Sequence, residues 1–128
     1  MNMKKQYPLK PIVSLLETIS PLARLEILLM IGAGEACVCH LEARLGYRQS
    51  YISQHLMALR QADLLDSRRE GKYVFYRLAK PEILELLKKA AQTANVTLPK
   101  LEVVSAEKQC ACPTCAPITK LIPLKQIQ

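Results

Sequence analysis

Residues 38–61 constrain the fold of this chain more than any other stretch. A short helix is expected over about 38–45, Gly46 supplies a turn, and a second helix follows over about 49–61. In that second helix Ile52, Leu56 and Leu59 fall on one inward face. At 100° per residue, Ser50, Gln54 and Gln61 lie on the opposite face with Ser53 beside them. Two helices joined by a tight glycine turn, the second with small hydroxyl and amide groups outward, form a helix-turn-helix. Such groups suit base-edge and phosphate contacts. The candidate DNA-reading residues are therefore Gln49, Ser50, Ser53, Gln54 and His55.

Flanking segments extend this unit. Ile12, Leu15, Leu16 and Ile19 have helical spacing over about 12–19. Ser20-Pro21 reads as an N-cap followed by proline at the first helical position. The helix it opens runs through Ile31 and ends at Gly32-Ala33-Gly34. Residues 64–78 read as two strands around Glu70-Gly71-Lys72, with the β-forming run Tyr73-Val74-Phe75-Tyr76 on the return. Arg68, Arg69 and Lys72 cluster at the tip of this wing, where cations contribute phosphate affinity and salt dependence. After Pro81, residues Ile83, Leu84, Leu86, Leu87, Ala90, Ala91 and Ala94 form a broad amphipathic stripe, part of which is expected to meet a second subunit. The fold class is mostly α with a small β-hairpin, a dimeric winged helix-turn-helix. Its parts are a loose arm over 1–11, a DNA-binding and dimerisation domain over 12–95 and an irregular or partly disordered tail over 96–128.

Charge supports a polyanion partner. The chain of 128 residues carries a net charge of +7. Residues 44–80 hold eight Lys or Arg against three Asp or Glu, whereas the remainder is nearly balanced at ten against eight. The apolar stretch 12–31 is interrupted by Glu17, Pro21, Arg24 and Glu26, which excludes a membrane span. Lys4 and Lys5 are followed by Pro8, Pro11 and Glu17, which break any secretory apolar region, so a reducing cytoplasmic location is expected.

There, clustered cysteines more often ligate metal or sense redox state than form structural disulfides. Five are present: Cys37 and Cys39 directly before the helix-turn-helix, and Cys110, Cys112 and Cys115 in the tail. Unpaired N–H groups at the start of the short helix favour thiolate at the first pair. Residues i and i+2 diverge on a regular helix but converge where the backbone is extended, so Cys37 is expected in the approach to the helix rather than within it. Thiolates select As(III), Cd(II), Pb(II), Hg(II) or Zn(II) over hard cations. The fifteen residues from Asn95 to Cys110 span up to about 50 Å when extended, enough for tail thiols to reach the first pair. His40 is a candidate nitrogen ligand, and His55 is expected to contact DNA or to pack. Cys112-Pro113-Thr114-Cys115 follows no βαβ pattern, so no thiol oxidoreductase, and no enzyme of any kind, is expected.

From about residue 19 to 83 the chain resembles the ArsR/SmtB family of bacterial metal-responsive repressors. The resemblance rests on Glu35-Ala36-Cys37-Val38-Cys39-His40-Leu41, on Ser53-Gln54-His55-Leu56-Met57-Ala58-Leu59-Arg60-Gln61-Ala62, and on Arg68 through Leu78. It implies a winged-helix homodimer, paired through the helices at about 12–19 and 81–95, that sits on operator DNA and is released by metal. Arsenite sensors of the family commonly carry Cys-Val-Cys-Asp-Leu-Cys; here His40 replaces the Asp and Glu42 the third Cys. A three-sulfur As(III) site must then draw on another segment. Related cadmium and lead sensors draw theirs from the N-terminus, where this chain has no cysteine; the tail is the alternative. The family's zinc site on the last helix is not expected, because 82–95 contains no His. Asp63 stands where the family usually has Gly. The expected function is a repressor released by As(III), the alternatives being a Cd(II)/Pb(II) sensor or a thiol redox or persulfide sensor of the same fold.

Overall fold

The computed structural model describes residues 8–98; Cys110, Cys112, Cys115 and the rest of the tail lie outside the described residues. The chain forms α1 (Leu9–Ile19), α2 (Leu22–Ile31), β1 (Ala36–Cys37), α3 (Val38–Leu45), α4 (Gln49–Gln61), β2 (Leu65–Glu70), β3 (Tyr73–Leu78) and α5 (Glu82–Thr93). The helix-turn-helix and the wing have the spans their periodicity predicts. β1 was not foreseen. It is two residues long, too short for a periodic signal, and adds a third antiparallel strand in the order β1-β3-β2.

Two helix starts differ from expectation. α1 begins three residues early, at Leu9, so the arm is shorter by that much. Pro11 does not prevent this, since first-turn N–H groups have no intrahelical acceptor to lose. α2 is capped by Pro21 rather than Ser20, with no side-chain cap; the Pro21 carbonyl takes the first N–H groups, from Arg24 and Leu25.

The core lies where α2, α3, α4 and the sheet meet. Ile27, Leu28, Leu41, Ile52, Leu56, Leu59 and Phe75 are all essentially inaccessible. Each such side chain contributes about 1.5–3 kcal/mol by leaving water. α4 is thereby seated on three apolar residues with its other face outward. Ile83, Leu87 and Ala91 anchor α5 to the same core at i, i+4, i+8 spacing. α1 is different: only Ile19 is buried, while Leu9, Ile12, Val13 and Leu16 are 47–59% exposed.

The helix ends explain how the chain turns. Gly46 closes α3 at φ 81°, its N–H bonded to the Glu42 carbonyl. α4 ends in a Schellman motif: Leu64 N–H bonds Leu59 O, Asp63 N–H bonds Arg60 O, and Asp63 sits at φ 62°. α5 ends the same way, on Asn95 at φ 61°.

Candidate nucleic-acid interface and thiol site

α4 presents Gln49, Ser50 and Gln54 fully outward and Ser53 partly so. His55 is turned away from them. Its Nδ1 accepts from Arg24 Nε at 3.0 Å, and the ring packs edge-on against Tyr51 at 4.5 Å. Arg24 also donates to the Thr18 carbonyl, so one guanidinium ties the end of α1 to α4. An imidazole accepting at Nδ1 is neutral there, and burial followed by the Arg24 charge lowers its pKa. His55 Nε2 is buried without a hydrogen-bond partner among the described residues. The structure therefore places His55 in the packing seam rather than on the reading face. The turn between α3 and α4 is fixed similarly: Tyr47 Oη donates to Glu26 Oε1 at 2.5 Å, and this bond, more than burial, pushes the phenol up to about 12.

On the wing, Arg69 and Lys72 are exposed beside the two-residue turn at Gly71-Lys72, where Gly71 takes φ 62°. Arg68 is committed elsewhere. Its Nε lies 2.9 Å from Glu35 Oε2, its Nη2 2.8 Å from Glu35 Oε1, and its Nη1 2.9 Å from Glu70 Oε1. Its guanidinium stacks 4.5 Å over the Phe75 ring. The hydrogen bond from Arg68 is the main reason the Glu35 carboxyl lies below its ordinary range, and the Arg68 pKa is raised in turn.

Sequence reasoning missed two residues here. Arg60 joins Ser67, Arg68, Arg69, Val74 and Tyr76 around a cleft of about 410 Å³ between the end of α4 and the wing. Its spacing after Ser53 and Met57 (i, i+4, i+7) is the signal that would have put it on the outward face. Glu35 gave no signal, because its partner lies 33 residues away.

The thiol pair converges. Cys37 ends β1 in extended conformation (φ −93°, ψ 167°) and N-caps α3, its Sγ accepting from the His40 N–H at 3.3 Å. Cys39, in the first turn of α3, brings its Sγ to 2.9 Å from that of Cys37. Both stand as thiols, Cys37 buried against Phe75 and Cys39 partly accessible. The expectation that Cys37 precedes the helix is met. Among the described residues no group of three His, Cys, Asp or Glu side chains could hold a metal, so His40 does not complete a site with the pair. His40 is half-buried, and burial followed by Arg44 lowers its pKa.

Comparison with known proteins matches this architecture to one group. Residues 23–67 fit the family model described as bacterial regulatory protein, arsR family. The transcriptional activator HlyU of Vibrio cholerae is 40% identical over 86 residues, covering 65% of this chain and 80% of that protein. The chain belongs to the arsR family. A biofilm growth-associated repressor of Agrobacterium fabrum is 44% identical over 73 residues, 57% of this chain and 62% of that protein. An arsenic resistance transcriptional regulator of Pseudomonas putida is 41% identical over 70 residues, 53% of this chain and 55% of that protein. The matches thus span less than two thirds of the length of these last two relatives. The solved structure of reduced HlyU from Vibrio cholerae superimposes with a TM-score of 0.59 at 37% identity, over 63% of this chain and 88% of that one. Fold and family are those of winged-helix transcriptional regulators that bind DNA, not of enzymes. Among the described residues of this arsR-family chain, no helix is long and apolar enough to cross a membrane.

Proposed function

We propose that this protein is a cytoplasmic, homodimeric repressor that holds double-stranded operator DNA until a thiophilic metalloid, As(III) first among candidates, binds Cys37 and Cys39. The observation that carries this reading is the approach of those two sulfurs to 2.9 Å at the N-terminus of α3, the helix that docks on α4. Two thiols meeting at one point, deprotonated as they bind, suit a soft ion rather than a hard one. A trigonal As(III) site takes a third sulfur; Cys110, Cys112 or Cys115 supplies it, from either subunit, within the reach of the linking segment. The arsenic-resistance relative supports As(III) over Cd(II), Pb(II) or Zn(II) as the first inducer. Gln49, Ser50, Ser53 and Gln54 face the major groove, and Arg69 and Lys72 face the backbone. The apolar stripe of α1 and the outer part of α5, exposed in one protomer, form the dimer seam. Release is a linkage: the ligand prefers a conformation whose recognition helices no longer match the operator, so each ligand weakens the other by about 1–3 kcal/mol.

One observation favours a second reading. The same close approach, with no third ligand among the described residues, equally suits oxidation or persulfidation of the pair. Fluorescence anisotropy of the fully reduced protein on its own promoter DNA separates the two. The proposal expects release by near-stoichiometric As(III). Release by oxidant or persulfide alone, with no response to As(III), Cd(II), Pb(II) or Zn(II), makes it a redox sensor. DNA binding that none of these reagents relieves overturns both readings. A dimer further predicts an imperfect palindrome with half-sites about one helical turn apart or a multiple of it.

A further inference from the structure

The sheet joins the thiol pair to the wing through a single transverse row. Cys37 on β1 is paired with Phe75 on β3, and Phe75 is paired with Arg68 on β2. Directly paired residues project to the same face of a sheet, and here they touch: Cys37 packs on Phe75, and Arg68 stacks 4.5 Å above the same ring. The row closes on itself outside the sheet. Glu35, two residues before Cys37, takes the Arg68 fork through both carboxylate oxygens, at 2.8 and 2.9 Å. Glu70, near the wing tip, takes the remaining arm. Two carboxylates thereby offset the Arg68 charge, while Arg69 and Lys72 remain exposed cations of the same wing.

We infer that Glu35 and Arg68 are positioning residues, a brace that couples the thiol pair to the wing, rather than a DNA contact. The inference rests on the thiol-responsive reading above. A ligand on Cys37 displaces Phe75, which lies directly against Arg68 of β2, or shifts β1, which is preceded by the Glu35 that holds the Arg68 fork. Because the pair is exposed, its attraction alone is weak. What distinguishes it is geometry: a bidentate fork and a stacked face, which Lys cannot reproduce. Removing the carboxylate has a second consequence, since it frees a cation on the DNA-facing hairpin.

The test uses full-length reduced protein on operator DNA, with anisotropy read across salt and As(III) titrations. In Glu35→Gln the salt dependence of binding steepens by about 0.9 in log–log slope per protomer, about 1.8 for the dimer, equal to about 12-fold more loss between 50 and 200 mM salt. Its As(III) release factor falls by about twofold or more relative to wild type. Arg68→Lys keeps the wild-type net charge and loses the fork, so its release factor falls as well. Glu35→Asp, which keeps the carboxylate, retains most of the response. Wild-type release with unchanged release factors in Glu35→Gln and Arg68→Lys overturns the brace and leaves the thiol reading intact. A wild type that As(III) and oxidant both fail to release overturns the thiol reading, and the coupling with it.

Discussion

Replacing Cys37 separates its two roles, as helix cap and as ligand. Its Sγ accepts the His40 N–H, the bond an N-cap side chain makes to the third residue of a helix, and the residue is only 2% exposed. In Cys37→Ala that N–H is left unsatisfied, which costs about 1 kcal/mol. Removing a buried sulfur from against Phe75 costs about another 0.8 kcal/mol, taking sulfur as roughly one methylene. In Cys37→Ser the hydroxyl still accepts from His40 and can donate to Cys39 Sγ, which stands 2.9 Å from the present sulfur. Only the exchange of sulfur for a more polar atom remains, about 1 kcal/mol. Ala is therefore expected to be less stable than Ser by about 1 kcal/mol, while both lose the response to As(III). Urea unfolding at one fixed protein concentration, needed for a dimer, reads this as a midpoint difference of about 0.5 M. Equal midpoints for the two variants would refute the assignment of Cys37 as the cap of α3. A retained As(III) response in either would refute its assignment as a ligand.

Other expectations follow from single contacts. Asp63→Gly relieves the left-handed strain at φ 62°, which exceeds the entropy glycine adds to the unfolded chain; a gain of about 0.5 kcal/mol is expected as a higher Tm, with DNA affinity unchanged. Arg24→Ala strips His55 Nδ1 and the Thr18 carbonyl of their donor and should cost about 1–3 kcal/mol in denaturant unfolding. Both His40 and His55 have pKa values lowered below 6.5, so the unfolded chain binds more protons just below that pH. Their contribution to stability is therefore complete above about pH 6.5 and declines as pH falls toward the folded values; His55→Gln should flatten the fall in unfolding midpoint between pH 7 and 5.

What was legible in the sequence was whatever its local periodicity determines. Ile52, Leu56 and Leu59 fixed the span and facing of α4, Gly46 the turn before it, and Gly71 the hairpin. The place of Cys37 ahead of α3 was legible too, because an i, i+2 pair diverges on a regular helix; the meeting itself comes from the step between extended Cys37 and helical Cys39. Contacts between distant segments were not. Nothing near Glu35 announces Arg68, and nothing near His55 announces Arg24, 31 residues earlier. Arg68 was accordingly read as a phosphate contact and His55 as a residue that contacts DNA or packs; the structure packs His55 against Arg24 and Tyr51 and ties the still exposed Arg68 to Glu35, partners that only tertiary packing supplies. Start positions of α1 and α2 slipped for a related reason: proline near a helix start is compatible with several neighbouring first positions.

The most direct test of the thiol switch is the As(III) concentration needed to release operator DNA from wild type and from Cys39→Ser, a variant that leaves the Cys37 cap in place. The account predicts release of the wild type at near-stoichiometric As(III) and continued binding of Cys39→Ser at the same concentration. Release of Cys39→Ser at the wild-type concentration would contradict it, because the pair at the head of α3 would then not be where the signal is received.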